Sequence, residues 1–243
     1  MINRLRGIVH FDFFLPLFRD FFFPPLCFSC NVKLQENESR LCSSCWNSIE
    51  PIGDTDRTVD VLRGRFHEGG VIHDFVSCYY FEHDGVLQKI AHSLKYEAVT
   101  VFGRELGRHL GEKITARENF ADIDAIIPVP LHRLKRRERG YNQSEFISRG
   151  IADVLDKPVF ASLIQRKKNT ISQTHLTAEE RAKNVEDAFE IPKKAMPAVK
   201  GKIFLLVDDV ITTGATIQSM ARVLKEAGAK KIYVGSAALA KLE

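Results

Sequence analysis

One stretch of 27 residues, 202–228, constrains the fold more than any other part of the chain, and it reads KIFLLVDDVITTGATIQSMARVLKEAG. Residues 203–207 are apolar and rich in branched side chains, which predicts a fully buried strand. Asp208 and Asp209 follow at its predicted carboxyl end, and residues 217–224 then carry apolar side chains at helical spacing before Gly228. The stretch therefore predicts a strand, a loop and a helix of an α/β fold, in which ligands bind beyond the carboxyl ends of the strands.

The loop between this strand and helix has the composition of a phosphate site. A helix that starts after a Gly/Thr loop offers backbone N–H groups and a positive dipole end, and Gly214 lets the backbone approach an anion. Because two acids would repel a phosphate, we expect Asp208 and Asp209 to face ribose hydroxyls or Mg²⁺. The predicted ligand is a ribose 5-phosphate, and the predicted phosphate-binding residues are Thr212, Thr213, Gly214, Ala215 and Thr216.

Two other phosphate motifs are missing from this window. It contains neither G-x-x-x-x-G-K-[ST] nor G-x-G-x-x-G, which excludes a P-loop and a dinucleotide fingerprint here. The remaining alternative is a strand–turn–helix without a ligand, in which the two acids are solvated residues at the end of a strand.

The cysteines predict a metal site. Cys27, Cys30, Cys42 and Cys45 form two C-x-x-C pairs separated by eleven residues. Four thiolates in two such pairs give a closed tetrahedral Zn²⁺ site of the structural kind. Two disulfides are the alternative, which the lack of a secretion signal disfavours. The fifth cysteine, Cys78, is expected to be a buried strand residue without a catalytic role.

The phenylalanine-rich segment 1–26 lacks the pattern of a targeting sequence. Asp12, Arg19 and Asp20 interrupt its apolar run, so it has no apolar region of the kind found in a signal peptide. No stretch approaches the ~20 apolar residues of a spanning helix. We expect an amphipathic helix that ends at Pro24 and Pro25, with contact to a membrane surface left open. A cytoplasmic protein is the expectation.

The same patterns predict the rest of the α/β domain. Strands are expected at 75–81, 123–127 and 231–239, and helices at 86–94 and 141–155. Gly103, Gly107 and Gly111 indicate a small-residue stripe on a helix that packs closely against a neighbour. Residues 54–74 are polar and lack sustained periodicity, which predicts a connection. The predicted domains are an N-terminal helix and zinc module at 1–56, the connection at 57–74 and the α/β domain at 75–243.

A basic run follows the predicted strand 123–127 and comprises Arg133, Lys135, Arg136, Arg137 and Arg139. Such a run is usually a solvated face. Here it comes directly after the carboxyl end of a core strand, where a ligand of an open sheet would lie. Cationic side chains at that place would bind a pyrophosphate and stabilise the charge of a leaving group.

Residues 207–216, VDDVITTGAT, resemble the phosphoribosyl pyrophosphate (PRPP) motif of the type I phosphoribosyltransferases. Further motifs occur in the order seen in the ComF family of competence-associated, amidophosphoribosyltransferase-like proteins. They are the two C-x-x-C pairs, L-K-Y at 94–96, P-V-P at 128–130, R-R-E-R-G-Y-N-Q at 136–143 and Q-T-H-L-T-A-E-E-R-A-K-N at 173–184. The resemblance implies a type I phosphoribosyltransferase-like fold, with a mostly parallel sheet flanked by helices and a small N-terminal zinc module held by four cysteines.

The resemblance also implies roles for particular residues. Asp208 and Asp209 would take the ribose hydroxyls and Mg²⁺, and residues 212–216 would hold the 5-phosphate. Residues 166–184 would form a flexible lid. The turn from Pro130 to Arg133 would be the pyrophosphate loop. Together with the basic run after it, this turn gives the predicted pyrophosphate-binding residues Pro130, Leu131, Arg133, Arg137 and Arg139.

Three functions are consistent with the sequence. The first is a phosphoribosyltransferase, a glycosyltransferase that moves a pentosyl group from PRPP with Mg²⁺, linked to DNA uptake in natural competence or to nucleotide salvage. The second is a single-stranded nucleic-acid-binding competence protein without turnover, with the basic run, Lys167, Lys168 and the aromatic residues Tyr96, Tyr141 and Trp46 as its contacts. The third is an inactive scaffold whose zinc module binds a protein partner of the competence machinery.

Overall fold

The computed structural model describes residues 24–53, 56–96, 99–120, 122–167 and 188–241. Contacts divide the chain into two compact units, Met1–Ser48 and Ile49–Glu243. The predicted N-terminal helix and most of the predicted lid, including His175 and Lys168, lie outside the described residues. The domain boundaries predicted at 56 and 74 stay predictions.

In the smaller unit, residues 24–48 form two turns and one short helix, α1 (Ser43–Asn47). The first turn is closed by hydrogen bonds from Cys27 N to Val32 O and from Asn31 N to Cys27 O. Its buried side chains in this range are those of Cys27, Leu34, Leu41 and Cys42. Because so few apolar groups are buried, the unit needs a further source of folding energy.

The larger unit is built on a parallel sheet of four strands in the order β1-β6-β5-β2. The strands are β1 (Asp74–Phe81), β2 (Ala125–Pro128), β5 (Ile203–Ile211) and β6 (Lys231–Ala240), and β3 (Gln165–Arg166) and β4 (Phe189–Glu190) form a separate antiparallel pair. Residues 50–52 cover the free edge of β1, because Ile52 N donates to Cys78 O and Tyr80 N donates to Glu50 O. The edge of β1 is thereby satisfied.

Helices flank this sheet. They are α2 (Arg57–Glu68), α3 (Val86–Tyr96), α4 (Val101–Thr115), α5 (Arg133–Arg139), α6 (Gln143–Leu155) and α7 (Ala215–Glu226). The predicted glycine stripe is confirmed: a Cβ on Gly107 would lie 2.1 Å from Ile147 O, and one on Gly150 would lie 2.1 Å from Arg104 O. Only glycine at these places lets α4 and α6 approach so closely.

Most predicted strands and helices are confirmed, with Cys78 buried in β1, and two differences affect the site. Strand β5 continues to Ile211, so Asp208 and Asp209 lie within its last part, where Asp208 pairs with Ser236 of β6. Part of the predicted connection 57–74 is in fact helix α2, whose Val59, Leu62 and Phe66 are buried. The polar residues between these three hide their helical spacing, and the packing of that face stabilises the helix.

Candidate functional site

The carboxyl ends of β2 and β5 lie side by side. Pro128 pairs with Val207 in the parallel ladder, and Val129 N donates to Val207 O. The chain after β2 therefore leaves the sheet beside Asp208. The turn after β5 leaves the sheet from the neighbouring strand. The two segments that the sequence assigned to pyrophosphate and phosphate begin at the same edge of the sheet.

The turn after β5 leads directly into α7. Gly214 is the N-cap of this helix, with φ of 77°, and its carbonyl accepts from Gln218 N. The hydroxyl of Thr213 accepts from Ala215 N at 3.4 Å. A shallow recess that is open to solvent is lined by Asp208 and residues 210–217. The structure thus brings all five predicted phosphate-binding residues together at a helix N-terminus, where N–H groups and the helix dipole favour an anion.

Gly214 is needed here for a reason that differs from the one the sequence suggested. A Cβ at this position would lie 2.6 Å from Cε1 of Phe66 and 3.3 Å from Cδ1 of Leu62. The missing side chain would therefore point toward helix α2. Close packing on α2, together with the positive φ, requires glycine at this position.

Asp208 and Asp209 have different surroundings. Asp208 lines the recess, and its Oδ1 accepts from the hydroxyl of Ser144 at 3.2 Å and from Asp209 N at 2.9 Å. Asp209 Oδ2 lies 4.0 Å from Lys95 Nζ. Desolvation by the surrounding protein and the charge of Asp209 raise the pKa of Asp208 well above its usual range, although the two hydrogen bonds oppose the shift. The charged form of the Asp208 carboxylate is thus disfavoured, and a cation or hydroxyl groups in the recess would stabilise it.

The basic run forms helix α5, which the sequence did not predict. His132 caps it by accepting from Leu134 N, and Gly140 ends it with φ of 78°. Arg133 and Arg137 are exposed, whereas Lys135 and Arg139, one turn apart, are partly buried. Pro130 is buried and Leu131 is partly buried at the start of this segment. The helix therefore presents two different basic faces.

The inner face of α5 belongs to a group of cations near the acid pair. Burial lowers the pKa of Lys135, and the charges of Arg166, Arg139 and Lys95 lower it further. Burial also lowers the pKa of Arg166, while the charge of Asp208 opposes this shift. Lys95, Arg139 and Arg166 therefore each lie close enough to Lys135 to lower its pKa, and such a group of positive charges favours an anionic ligand.

The site includes residues that the sequence did not single out. Lys95 lies in the L-K-Y motif, but nothing in the pattern linked it to Asp209. Ser144 is buried at the start of α6, whose N-cap Asn142 donates from its side chain to Val129 O. That bond fixes α6 to the segment after β2, and Ser144 reaches Asp208 as a result. Such contacts depend on tertiary structure and carry no local signal.

The predicted aromatic contacts differ in availability. The hydroxyl of Tyr141 donates to Leu94 O, and its ring packs edge-on against Phe146 at 5.8 Å. Tyr141 is therefore engaged within the fold and is a poor platform for stacking a base. Trp46 belongs to the smaller unit, and the side chain of Tyr96 lies outside the described residues.

The four cysteines of the smaller unit form a metal-binding cluster. Their Sγ atoms all lie within 4.8 Å of one another, with Cys27 and Cys45 at 3.8 Å and Cys30 and Cys42 at 3.6 Å. Zn–S bonds of ~2.3 Å in a tetrahedron place sulfur atoms roughly 3.8 Å apart, so the cluster fits zinc. A disulfide needs sulfur atoms about 2.0 Å apart, and all four cysteines are free.

Backbone groups support this cluster. Cys42 N lies 3.3 Å from the Sγ of Cys27. Although burial opposes ionisation, the N–H groups of Cys42, Cys30 and Ser29 lower the pKa of Cys27 to about 6. Such bonds stabilise a thiolate and orient it as a ligand. The predicted structural zinc site is supported by this donor set.

No helix in the described ranges is both long and apolar enough to cross a membrane.

Comparisons with known proteins agree with this geometry. Residues 142–241 match the phosphoribosyl transferase domain family, and residues 18–56 match the double zinc ribbon domain family. The first match covers strand β5, the turn of residues 212–214 and helix α7, and the second covers all four cysteines. The larger unit thus has a type I phosphoribosyltransferase-like fold. A glutamine PRPP amidotransferase from Bacillus subtilis aligns with 55% of this chain and 25% of its own at 21% identity, with a TM-score of 0.37.

Several curated relatives cover most of the chain. Competence protein F of Haemophilus influenzae is 37% identical over 218 residues, which is 86% of this chain and 82% of that protein. Competence protein ComFC of Bacillus subtilis is 25% identical over 84% of this chain and 79% of its own length. DNA utilization protein YhgH of Salmonella typhi is 30% identical over 61% of this chain and 65% of its own. Since the similarity to the first of these runs through both units, the chain belongs to the ComF family.

Proposed function

We propose that the larger unit binds PRPP, or a related ribose 5-phosphate ligand, together with Mg²⁺. The observation that carries this proposal is that Asp208 and the glycine turn line one recess at the end of β5. A phosphate on the turn and hydroxyl groups at a carboxylate are the two ends of a ribose 5-phosphate. The 5-phosphate would accept from N–H groups at the start of α7, and Asp208 would accept from the ribose hydroxyls.

The cations beside the acid pair support a second anionic group on the ligand. Lys135 and Arg139 lie on the inner face of α5, and Lys95 and Arg166 approach from α3 and β3. We assign the pyrophosphate of PRPP to this side, next to the turn that starts at Pro130. Arg133 and Arg137 remain predicted contacts, although both are exposed.

The proposed reaction is transfer of the phosphoribosyl group to an amine or ring nitrogen. The bond from the anomeric carbon to the pyrophosphate oxygen breaks, and pyrophosphate leaves with the bonding electrons. The acceptor nitrogen bonds to that carbon and releases its proton to water. Mg²⁺, when bound, neutralises charge on the pyrophosphate. The chain's own residues position the sugar and stabilise the departing charge, so no protein nucleophile is required.

The names of the relatives support a proposal for the cellular role. Their names refer to competence and to DNA utilization, and we propose that this chain acts in the cytoplasm in DNA uptake or in the use of nucleotides that uptake supplies. A protein partner in that machinery, bound through the zinc module, belongs to the same proposal.

Calorimetry of the zinc-loaded protein with PRPP and Mg²⁺ tests the binding site. We expect saturable binding that depends on Mg²⁺ and weakens at least about tenfold in Asp208→Ala and Asp209→Ala, since a hydrogen bond to a charged group contributes roughly 1.5–3 kcal/mol. Asp124→Ala is the matched control. Asp124 accepts from Ile203 N at the opposite, amino end of β5, so its loss alters stability without altering affinity. Absence of PRPP binding in the intact protein would overturn the proposal.

One observation favours single-stranded nucleic acid as a second candidate ligand. Arg133 and Arg137 share the exposed face of α5, away from the inner group of cations. Oligonucleotide affinity that falls steeply with salt, and that drops in Arg133→Ala and Arg137→Ala, would support this candidate. No binding of a labelled oligonucleotide at low salt would exclude it.

A further inference from the structure

Helix α2 packs against the turn of residues 212–216, the proposed phosphate site. Gly214 is buried, and the position that its Cβ would occupy lies 2.6 Å from Cε1 and 2.9 Å from Cζ of Phe66. The Phe66 ring is 2% exposed. The backbone of the turn therefore rests directly on the edge of this ring, with Leu62 beside it.

Contacts near both ends of α2 hold the helix against β1, and they limit movement of the Phe66 ring away from the turn. Asp56 caps the helix by accepting from Thr58 N at 2.8 Å, and the nearby hydroxyl of Tyr80 lowers the pKa of Asp56. At the other end, the ring of Phe66 packs edge-on against Phe75 of β1, with centroids 5.4 Å apart and planes at 86°. The contact continues from the sheet through Phe75 and Phe66 to the turn.

We infer that Phe66 is a positioning residue for the proposed phosphate site, because its ring sets where the backbone of residues 212–216 lies above α2. The inference rests on the proposed function, since it assigns a support to the same site. Backbone N–H groups must lie within a few tenths of an ångström of their best positions to bind an anion well. A support that shifts the turn by about 1 Å can cost one to two orders of magnitude in affinity or rate.

The test compares two buried phenylalanines in the zinc-loaded chain. Phe66→Leu removes the ring edge beneath the turn but keeps an apolar side chain. Phe120→Leu is the matched control, since Phe120 is 3% exposed and packs on Tyr233 near the start of β6, at the amino ends of the strands. If Phe66→Leu does not fold, Leu62→Val replaces it. Calorimetry then measures the affinity for ribose 5-phosphate, and hydrogen exchange measures the amides of residues 212–217 without ligand.

We expect Phe66→Leu to weaken ribose 5-phosphate binding about tenfold and to speed hydrogen exchange in residues 212–217. Phe120→Leu should leave the affinity unchanged, and it should speed exchange in these residues only as much as its lower free energy of unfolding explains. Equal affinities in the two variants would overturn the inference even if PRPP binds. If the unmodified protein binds neither PRPP nor ribose 5-phosphate, the proposed function fails. Exchange then still decides whether Phe66 holds the turn: faster exchange confined to Phe66→Leu favours that role, and equal exchange in the two variants refutes it.

Discussion

Adding one methyl group at Gly214 should destabilise the larger unit by two separable effects. The residue has φ of 77°, and a non-glycine residue in the left-handed region costs roughly 1–2 kcal/mol. The new Cβ would also lie 2.6 Å from the ring of Phe66, and overpacking of this kind typically costs a further 1–3 kcal/mol. We therefore expect Gly214→Ala to lower the free energy of unfolding by about 2–5 kcal/mol.

Gly201→Ala isolates the first effect, so the difference between the two variants measures the second. Gly201 has φ of 73°, but its Cβ would have no atom within 4 Å, so only the backbone cost of roughly 1–2 kcal/mol applies. Urea unfolding followed by far-ultraviolet circular dichroism is the assay, in buffer that keeps zinc bound. The single tryptophan, Trp46, lies in the smaller unit and would not report on this transition. Equal losses of stability in the two variants would show that the turn does not rest on Phe66.

Three further outcomes are expected. The pKa of Asp208 is raised by burial and by Asp209, so the folded state binds its proton more tightly and stability falls as pH rises from about pH 4 toward that raised value. Asp208→Asn removes this loss, and urea unfolding in Mg²⁺-free buffer should show a gain for the variant that is larger at neutral pH than at about pH 4. Removal of zinc by a chelator, or Cys42→Ser, should unfold residues 24–48, seen in Trp46 fluorescence and in metal content, while the circular dichroism of the larger unit persists. Burial raises the pKa of Cys78 to about 12, so mass spectrometry after metal removal should find it unmodified by iodoacetamide at mildly alkaline pH while the four clustered cysteines react.

Local sequence patterns predicted the parts of this protein whose chemistry is local. The apolar run 203–207, the glycine after the two threonines and the periodic residues of α7 determine a strand, a turn and a helix almost independently of their surroundings. The two C-x-x-C pairs likewise predict a cluster, because four thiols at that spacing have few other arrangements. These elements needed no knowledge of the tertiary structure.

The contacts that complete the site could not be predicted in this way. Ser144 reaches Asp208 across 64 positions of the chain, and Lys95 approaches Asp209 from another helix. Their separation in sequence hides them from any local pattern. The division of α5 into an exposed and an inner basic face also depends on how the helix packs. The position of the run after a strand and the family resemblance therefore assigned Arg133 and Arg137 to the ligand as readily as Arg139.

Helix α2 shows that a glycine in a predicted motif can have a second structural reason. A glycine in a phosphate turn is usually explained by close approach of the ligand, yet the side chain that Gly214 lacks would point toward Phe66 and not into the recess. Glycine at position 214 is thus also required by packing against a helix about 150 positions earlier in the chain. Val59, Leu62 and Phe66 recur at helical spacing, so the helix presents apolar side chains along one face, and Leu62 and Phe66 of that face lie next to Gly214. Helix α2, which the sequence predicted as part of a connection, therefore packs against the proposed site and does more than link the zinc module to β1.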